Sequence, residues 1–183
     1  MTREEALKMV KVNIRNANLV KHALAVEAVM RELARKFGES GEKWGLVGLI
    51  HDIDYEKTAD NPSQHGLIGA QMLAEAGLDD ELVNAVRAHN EALGYERTTR
   101  LDKALYAADP VTGLIVAAAL VKPSKKLADV DTEFVLKKYK EKSFARGASR
   151  EQINSCVELG LTLEEFIGLS IDAMQGIAGE LGL

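Results

Sequence analysis

Seven uncharged residues, Trp44-Gly45-Leu46-Val47-Gly48-Leu49-Ile50, run directly into His51-Asp52-Ile53-Asp54-Tyr55. Leu46, Val47, Leu49 and Ile50 would cover most of the circumference of a helix, which marks a segment buried all round rather than an amphipathic surface helix. The end of that helix must then lie inside the protein. A buried Asp beside a buried His costs several kcal/mol, roughly, unless both are hydrogen-bonded, paired or holding a cation. The fold must bring partners to this point.

Helical periodicity runs through the rest of the chain. Thr2-Arg3-Glu4-Glu5 has the form of a capping box, followed by Ala6, Met9, Val10 and Ile14 at helical spacing. Asn16 or Asn18 can cap a longer helix to Phe37, with Gly38 placed to end it and His22, Val26, Val29, Met30 and Leu33 on one face. A third helix follows the turn Ser40-Gly41-Glu42 and ends around Asp54. Asn61 and Pro62 predict the start of a helix to about Ala76, with an inward stripe of His65, Ile68, Gly69, Met72, Leu73 and Ala76. Asp79 caps the next, in which Leu82, Ala85, Val86 and His89 share a stripe. After a loop over 94–99, a helix from about Arg100 carries Leu101, Leu105, Ala108 and Asp109 on one side, and Pro110 is expected to kink or restart it before Val111 to Val121.

Beyond a basic loop, Lys122-Pro123-Ser124-Lys125-Lys126, the spans Thr132 to Ser143, Arg150 to Leu159 and Leu163 to Leu181 read as three further helices. Ser149-Arg150-Glu151-Gln152 and Thr162-Leu163-Glu164-Glu165 mark two of their starts. No alternating strand pattern appears, and three prolines with 5% aromatics agree with an all-α chain. The expectation is a single-domain helical bundle over 1–183. Its core would cover about 18–126, and a helical extension over 127–183 would complete the bundle or cover the site.

A formal net charge of −5 gives no general electrostatic reason to bind nucleic acid or an anionic membrane surface. The only cysteine, Cys156, cannot form an internal disulfide, and the residues after Met1 show no signal-peptide pattern, so a cytoplasmic protein is expected. No apolar run reads as long enough to span a bilayer, Leu114 to Val121 included.

All four histidines, His22, His51, His65 and His89, fall on or at the end of apolar faces of four different expected helices. One inward histidine is more often a satisfied core residue than a ligand. Four sorted this way, with Asp52 and Asp109 in equally apolar settings, point to a shared task. Imidazole and carboxylate without thiolate suit iron, manganese, cobalt, nickel or zinc in an open catalytic site rather than a structural cysteine-based zinc. Cys156 reads as a small buried side chain, and Trp44 and Phe37 as core.

A histidine in one helix, His51-Asp52 after an apolar run, and a late aspartate in Tyr106-Ala107-Ala108-Asp109 resemble the HD superfamily of metal-dependent phosphohydrolases over about Asn18 to Lys126. The resemblance implies a helical bundle of the HD-domain type in which His22, His51, Asp52 and Asp109 hold one divalent metal. It also implies that His65 and His89 hold a second, with Asp52 bridging the ions. The subgroup named for His-Asp-Ile-Gly is the nearest in motif, with Asp54 where its glycine would be. An aspartate on a solvated loop is the expectation for that position.

The chemistry that follows is hydrolysis by metal-activated water, since a divalent cation lowers the pKa of bound water from about 16 towards 7. It centres on Asp52. Lys57 resembles a basic residue that many members carry after the doublet, which makes it a candidate for catalysis and phosphate binding. Arg87 and the loop lysines Lys122, Lys125 and Lys126 are further phosphate candidates, with a solvated surface charge as the plain alternative for each. The substrate expected is a small phosphate ester or anhydride, such as a nucleotide or dinucleoside polyphosphate. Two other readings share the ligand pattern: a di-iron oxygenase, and a module that binds metal and nucleotide without turnover.

Overall fold

The computed structural model describes residues 1–183, and its regular elements are all helical. Helix α1 (Arg3–Asn13) opens on the Thr2 capping box, with the Glu5 amide donating to Thr2 Oγ1 and the Thr2 amide to Glu5. Helix α2 (Ala17–Phe37) is capped by Asn16, whose side chain accepts from the Asn18 amide, and ends on Gly38 at φ 70°. Only glycine adopts that left-handed backbone without steric penalty. Helix α3 (Gly41–Ile50) starts under Ser40 and stops four residues before the expected end, because the chain turns at His51 to Asp54 before the single turn of α4 (Tyr55–Thr58).

The expected helix from Pro62 is broken in two. Pro62–Gln64 form one 3-10 turn, His65 is extended at φ −62° and ψ 130°, Gly66 is left-handed at φ 84°, and only then does α5 (Leu67–Glu75) begin. His65 therefore stands on a connector rather than on a helical stripe. Helix α6 (Asp80–Ala88) ends at His89 as its C-cap.

Helix α7 (Arg100–Leu120) starts on a capping box of Thr99 and Asp102 and runs on through Pro110 without a restart. The proline ring removes one donor and leaves the helical φ available, so a single backbone bond is lost. By length and composition α7 could cross a membrane, which the shorter run read from the sequence did not suggest, but 67% of its most apolar window is buried inside the protein. It is the central core helix.

The last third packs on this frame through α8 (Thr132–Lys140), α9 (Arg150–Asn154), α10 (Leu163–Gln175) and α11 (Ala178–Leu181). Each expected helix here is shorter or divided: α8 stops at Lys140, 3-10 structure replaces α-helix over Ser155–Leu159, and a break at Gly176 and Ile177 separates α10 from α11. One contiguous apolar core runs from Ala6 to Leu181. Within it Met30, Leu33, Leu49, Ile50, Leu105, Ile115 and Phe166 are wholly buried. Each such side chain contributes about 1.5–3 kcal/mol of transfer free energy.

One close approach fixes the geometry that matters. A Cβ on Gly48 would stand 2.9 Å from the Val26 carbonyl oxygen and 3.0 Å from Glu27 Cα, so α3 lies against the backbone of α2 at this point. Gly45, one turn earlier on α3, faces Arg31, one turn later on α2, so the two helices are antiparallel. One turn in the other direction brings His51 beside His22, with ring centroids 5.2 Å apart.

Candidate metal centre

Six side chains from five places in the chain converge on one point. His22 comes from the middle of α2, His51 from the end of α3, and Asp52 from the turn after it. His65 comes from the connector before α5, His89 from the end of α6, and Asp109 from the middle of α7. The Asp52 carboxylate is the hub: Oδ2 lies 3.6 Å from His22 Nε2, and Oδ1 lies 3.4, 3.3 and 3.4 Å from Nε2 of His51, His65 and His89. Asp109 Oδ1 closes the other side at 3.0 Å from His22 Nε2 and 3.8 Å from His51 Nε2. Ligands about 2.1 Å from one ion stand about 3.0 Å apart at right angles and about 3.4 Å apart in a tetrahedron, so these separations suit a shared cation.

The outer nitrogens settle which atoms face inward. His51 Nδ1 donates to the Gly48 carbonyl at 2.8 Å and His89 Nδ1 to the Val86 carbonyl at 2.6 Å, in each case three residues back in the same helical turn. Thr112 Oγ1 gives its only hydrogen to the Asp109 carbonyl at 2.9 Å and so accepts from His22 Nδ1 at 3.1 Å. His65 Nδ1 donates to Asp54 Oδ1 at 2.9 Å. Carbonyl and carboxylate oxygens only accept, so the neutral rings carry their hydrogen on Nδ1 and turn a bare Nε2 to the centre.

His51 shows what is missing from the protein's own groups. It is fully buried, and its Nε2 has no hydrogen-bond partner, because the nearby carboxylate oxygens are too distant or out of line. An unpaired buried nitrogen costs about 1–3 kcal/mol, which a cation at the centre would offset. Two ligand groups are met around it: His22, His51 and Asp109 on one side, and His51, Asp52 and His89 on the other.

Without an ion the charges of the cluster stabilise one another. Burial works against a charged His51, but the Asp52 and Asp109 carboxylates outweigh it and hold its pKa well above the usual imidazole value. Burial likewise opposes charge on His65, and hydrogen bonds to Asp52 and Asp54 overcome it, raising the group to about 9. Asp52 is held well below the usual carboxylate range by His51, His65 and His89 against its own burial, and Asp109 is lowered by His22 and His51.

Asp54 departs most from expectation. It is wholly buried rather than solvated, and its Oδ2 accepts from the Gly66 and Gly69 amides at 2.8 and 2.7 Å while Oδ1 holds His65. Nothing in the local sequence signals this, since the partners lie 11 to 15 residues further on.

The expected cations are not gathered at the centre. Lys57 Nζ donates to Asn13 Oδ1 at 2.8 Å, tying α4 to α1, and reaches none of the six ligands. Arg87 stacks on Tyr95 at 5.1 Å, on the opposite side of α6 from His89, because residues two apart on a helix do not share a face. Lys122 lies over the Phe134 ring at 3.8 Å, and Lys125 and Lys126 are exposed. Because α7 continues eleven residues past Asp109, this loop starts about 17 Å further along the axis.

Two shallow clefts reach the centre instead. One of about 340 Å³ is lined by His65, His89, Asp109, Asn90, Glu91 and Gln152. The other, of about 370 Å³, touches His22 and Asp109 and is walled by Ala145, Gly147 and Ala148. Arg146 is exposed between two of those wall residues, and Lys21 lines an adjoining cavity with His22 and Thr112. Neither cation was singled out from the sequence, although Lys21 adjoins a ligand histidine. The Arg150 guanidinium donates to carbonyls of Lys138, Tyr139, Glu141, Phe144, Ala145 and Ala148, which shapes the wall. Cys156 is buried away from any base, its thiol pushed up to about 11 by burial, which leaves no cysteine nucleophile.

A family model described as HD domain matches residues 19–114, just over half of the chain, and all six ligands lie inside that span. An uncharacterized protein of Methanocaldococcus jannaschii is 36% identical over 91 residues, covering 47% of this chain and 52% of the relative. Proteins named ribonuclease Y from Lawsonia intracellularis and Fervidobacterium nodosum are 27% and 30% identical over 139 and 144 residues. Each of these two matches covers 73% of this chain and 26% of the relative, so the chain spans about half the length of the first relative and about a quarter of the other two.

Proposed function

Because the chain belongs to the HD domain family, a superfamily of metal-dependent phosphohydrolases, we propose that it hydrolyses a small phosphate ester or anhydride, a nucleotide or dinucleoside polyphosphate, at a two-ion centre. One observation carries the reading: four inward Nε2 atoms and two carboxylates converge with the fully buried His51 Nε2 unpartnered. A bound divalent cation supplies Lewis acidity, lowering the pKa of water at the site and polarising phosphoryl oxygens.

The chain's own residues supply the rest. His22, His51, Asp52 and Asp109 would hold one ion, and His65 and His89 with the shared Asp52 the other. Asp109, whose side chain is 27% exposed and which lines both clefts, is the ligand placed to meet substrate and to orient incoming water by accepting its hydrogen bond. Gln152 lines the same cleft as His65 and His89 and is placed to orient a phosphate or sugar oxygen. Lys21, which lines the cavity adjoining His22, and Arg146, exposed between the cleft residues Ala145 and Gly147 in sequence, are the cations we assign to phosphate binding, since charge-assisted bonds to phosphate favour such use.

The name carried by the ribonuclease Y relatives favours a second reading, cleavage of an RNA phosphodiester. The net charge of −5 weighs against a long polyanion. Purification without chelator, metal analysis, and a panel of nucleotides, dinucleoside polyphosphates and a short RNA test both. We expect co-purifying transition metal and hydrolysis that stops with chelator and returns with manganese, iron, cobalt, nickel or zinc. Iron-dependent oxygen uptake without phosphate release would establish the oxygenase reading instead, and ion binding without turnover the binding module. Absence of bound ion and of ion-dependent hydrolysis would overturn the proposal.

A further inference from the structure

His65 differs from the other three histidines in how its ring is held. His51 and His89 end helices, and the carbonyl three residues back is supplied to Nδ1 by the helix itself. His22 is braced by Thr112 from the neighbouring helix. His65 lies on an extended connector, where no helical carbonyl is in position, and a side chain has to supply the acceptor. Asp54 does so from a site with no solvent exposure.

The surroundings are shaped to admit that carboxylate. A Cβ on Gly69 would stand 3.2 Å from Asp54 Cγ, and Gly66 takes a left-handed φ of 84° so that its amide and that of Gly69 both reach Oδ2. Asp54 thus caps the start of α5 from outside that helix while it holds His65. Because a carboxylate only accepts, a neutral His65, the form that can bind an ion, keeps its hydrogen on Nδ1, and Nε2 is turned to Asp52 Oδ1 at 3.3 Å and His89 Nε2 at 3.0 Å.

We propose that Asp54 is the positioning residue that creates the second ion site, by fixing which nitrogen of His65 carries hydrogen. The inference rests on the two-ion reading above. Asparagine separates this role from a structural one. Its single oxygen can still accept from the Gly66 and Gly69 amides and keep the cap, but its NH2 then faces His65 Nδ1, which must accept. The hydrogen moves to Nε2, and that nitrogen can no longer bind an ion.

The test is zinc titration by calorimetry with metal analysis, together with nitrogen-15 NMR of the histidines in wild type and Asp54→Asn. The wild type should hold two ions, with a proton on Nδ1 of His65 in the zinc-loaded protein. Asp54→Asn should lose about 10- to 100-fold in affinity at one site only, while the metal-free protein melts near the wild-type temperature. In a His65→Ala background Asp54→Asn should change nothing further. Two ions held with wild-type affinity by Asp54→Asn, or a zinc-loaded wild type in which His65 carries its proton on Nε2 and not on Nδ1, would overturn the proposal, the second whether or not the variant folds. A wild type with a single ion overturns it and leaves ion-dependent hydrolysis standing, whereas a wild type with none removes the functional reading as well.

Discussion

At the scale of single residues, Asp52 carries the most. Its two oxygens face four imidazole nitrogens, so Asp52→Ala removes ligand charge from every ion the centre can hold. Activity and metal content should both be lost while circular dichroism keeps its helical signal; turnover at the wild-type rate in a metal-loaded Asp52→Ala protein would refute the site. Protonation gives a second prediction. His65 has a folded pKa of about 9 against an ordinary 6.5, and His51 is raised as well. Groups raised on folding stabilise fully below their unfolded pKa, so this stability is present below about pH 6.5 and is lost as pH rises through 9, on the order of 3 kcal/mol for His65. A bound cation needs neutral imidazoles, so its stabilisation grows over the same range. The gap in melting temperature between zinc-loaded and metal-free protein should therefore widen from pH 6 to pH 9, and a gap that narrows would contradict the assignment. The histidines were legible in the sequence because three of them sit at helical spacing from aliphatic neighbours or end an apolar run. Asp54 was not, since its partners are amides brought to it by a break in the chain at His65 and Gly66.

At the scale of elements, the approach of α3 to α2 sets the distance between His51 and His22. Gly48→Ala would place a methyl group 2.9 Å from the Val26 carbonyl oxygen and 3.0 Å from Glu27 Cα, backbone atoms that cannot swing aside as the nearby Met30 side chain can. We expect a loss of about 1–3 kcal/mol in urea unfolding. Ion affinity should weaken as well, because His51 follows one turn later. A variant with unchanged stability would mean that the two helices have slack at this point. The wall of the cleft is held differently, by one guanidinium reaching six carbonyls. Arg150→Ala should destabilise by about 2–3 kcal/mol and raise amide exchange across 141–149 before the rest of the protein opens. Uniform protection would exclude a local role. Capping residues placed most helix starts correctly from sequence, as at Thr2, Asn16 and Thr162. The helix expected at Pro62 failed because proline favours the first turn of a 3-10 helix equally well, and the left-handed Gly66, through which that helix was expected to run, breaks it.

At the scale of the whole molecule, the bundle was legible and the openings were not. Charge near a ligand in sequence did not mean charge near it in space: Lys57 is turned to Asn13, and the lysines of 122–126 are carried off along α7. The cations proposed for phosphate come from distant parts of the chain, Lys21 from α2 and Arg146 from the turn between α8 and α9. Replacing either by alanine should raise KM several-fold with kcat and metal content little changed, as expected when ground and transition states lose the same contact. Unchanged kinetics in both would return them to the solvated surface. The full burial of His51 has a consequence in time. Water and chelator reach an ion there only along the two clefts at Asp109, so the bonds on that side part first and the bond to His51 parts last. Such a protein would give up its metal to a chelator over minutes rather than at mixing, and would need time as well as added ion to regain it.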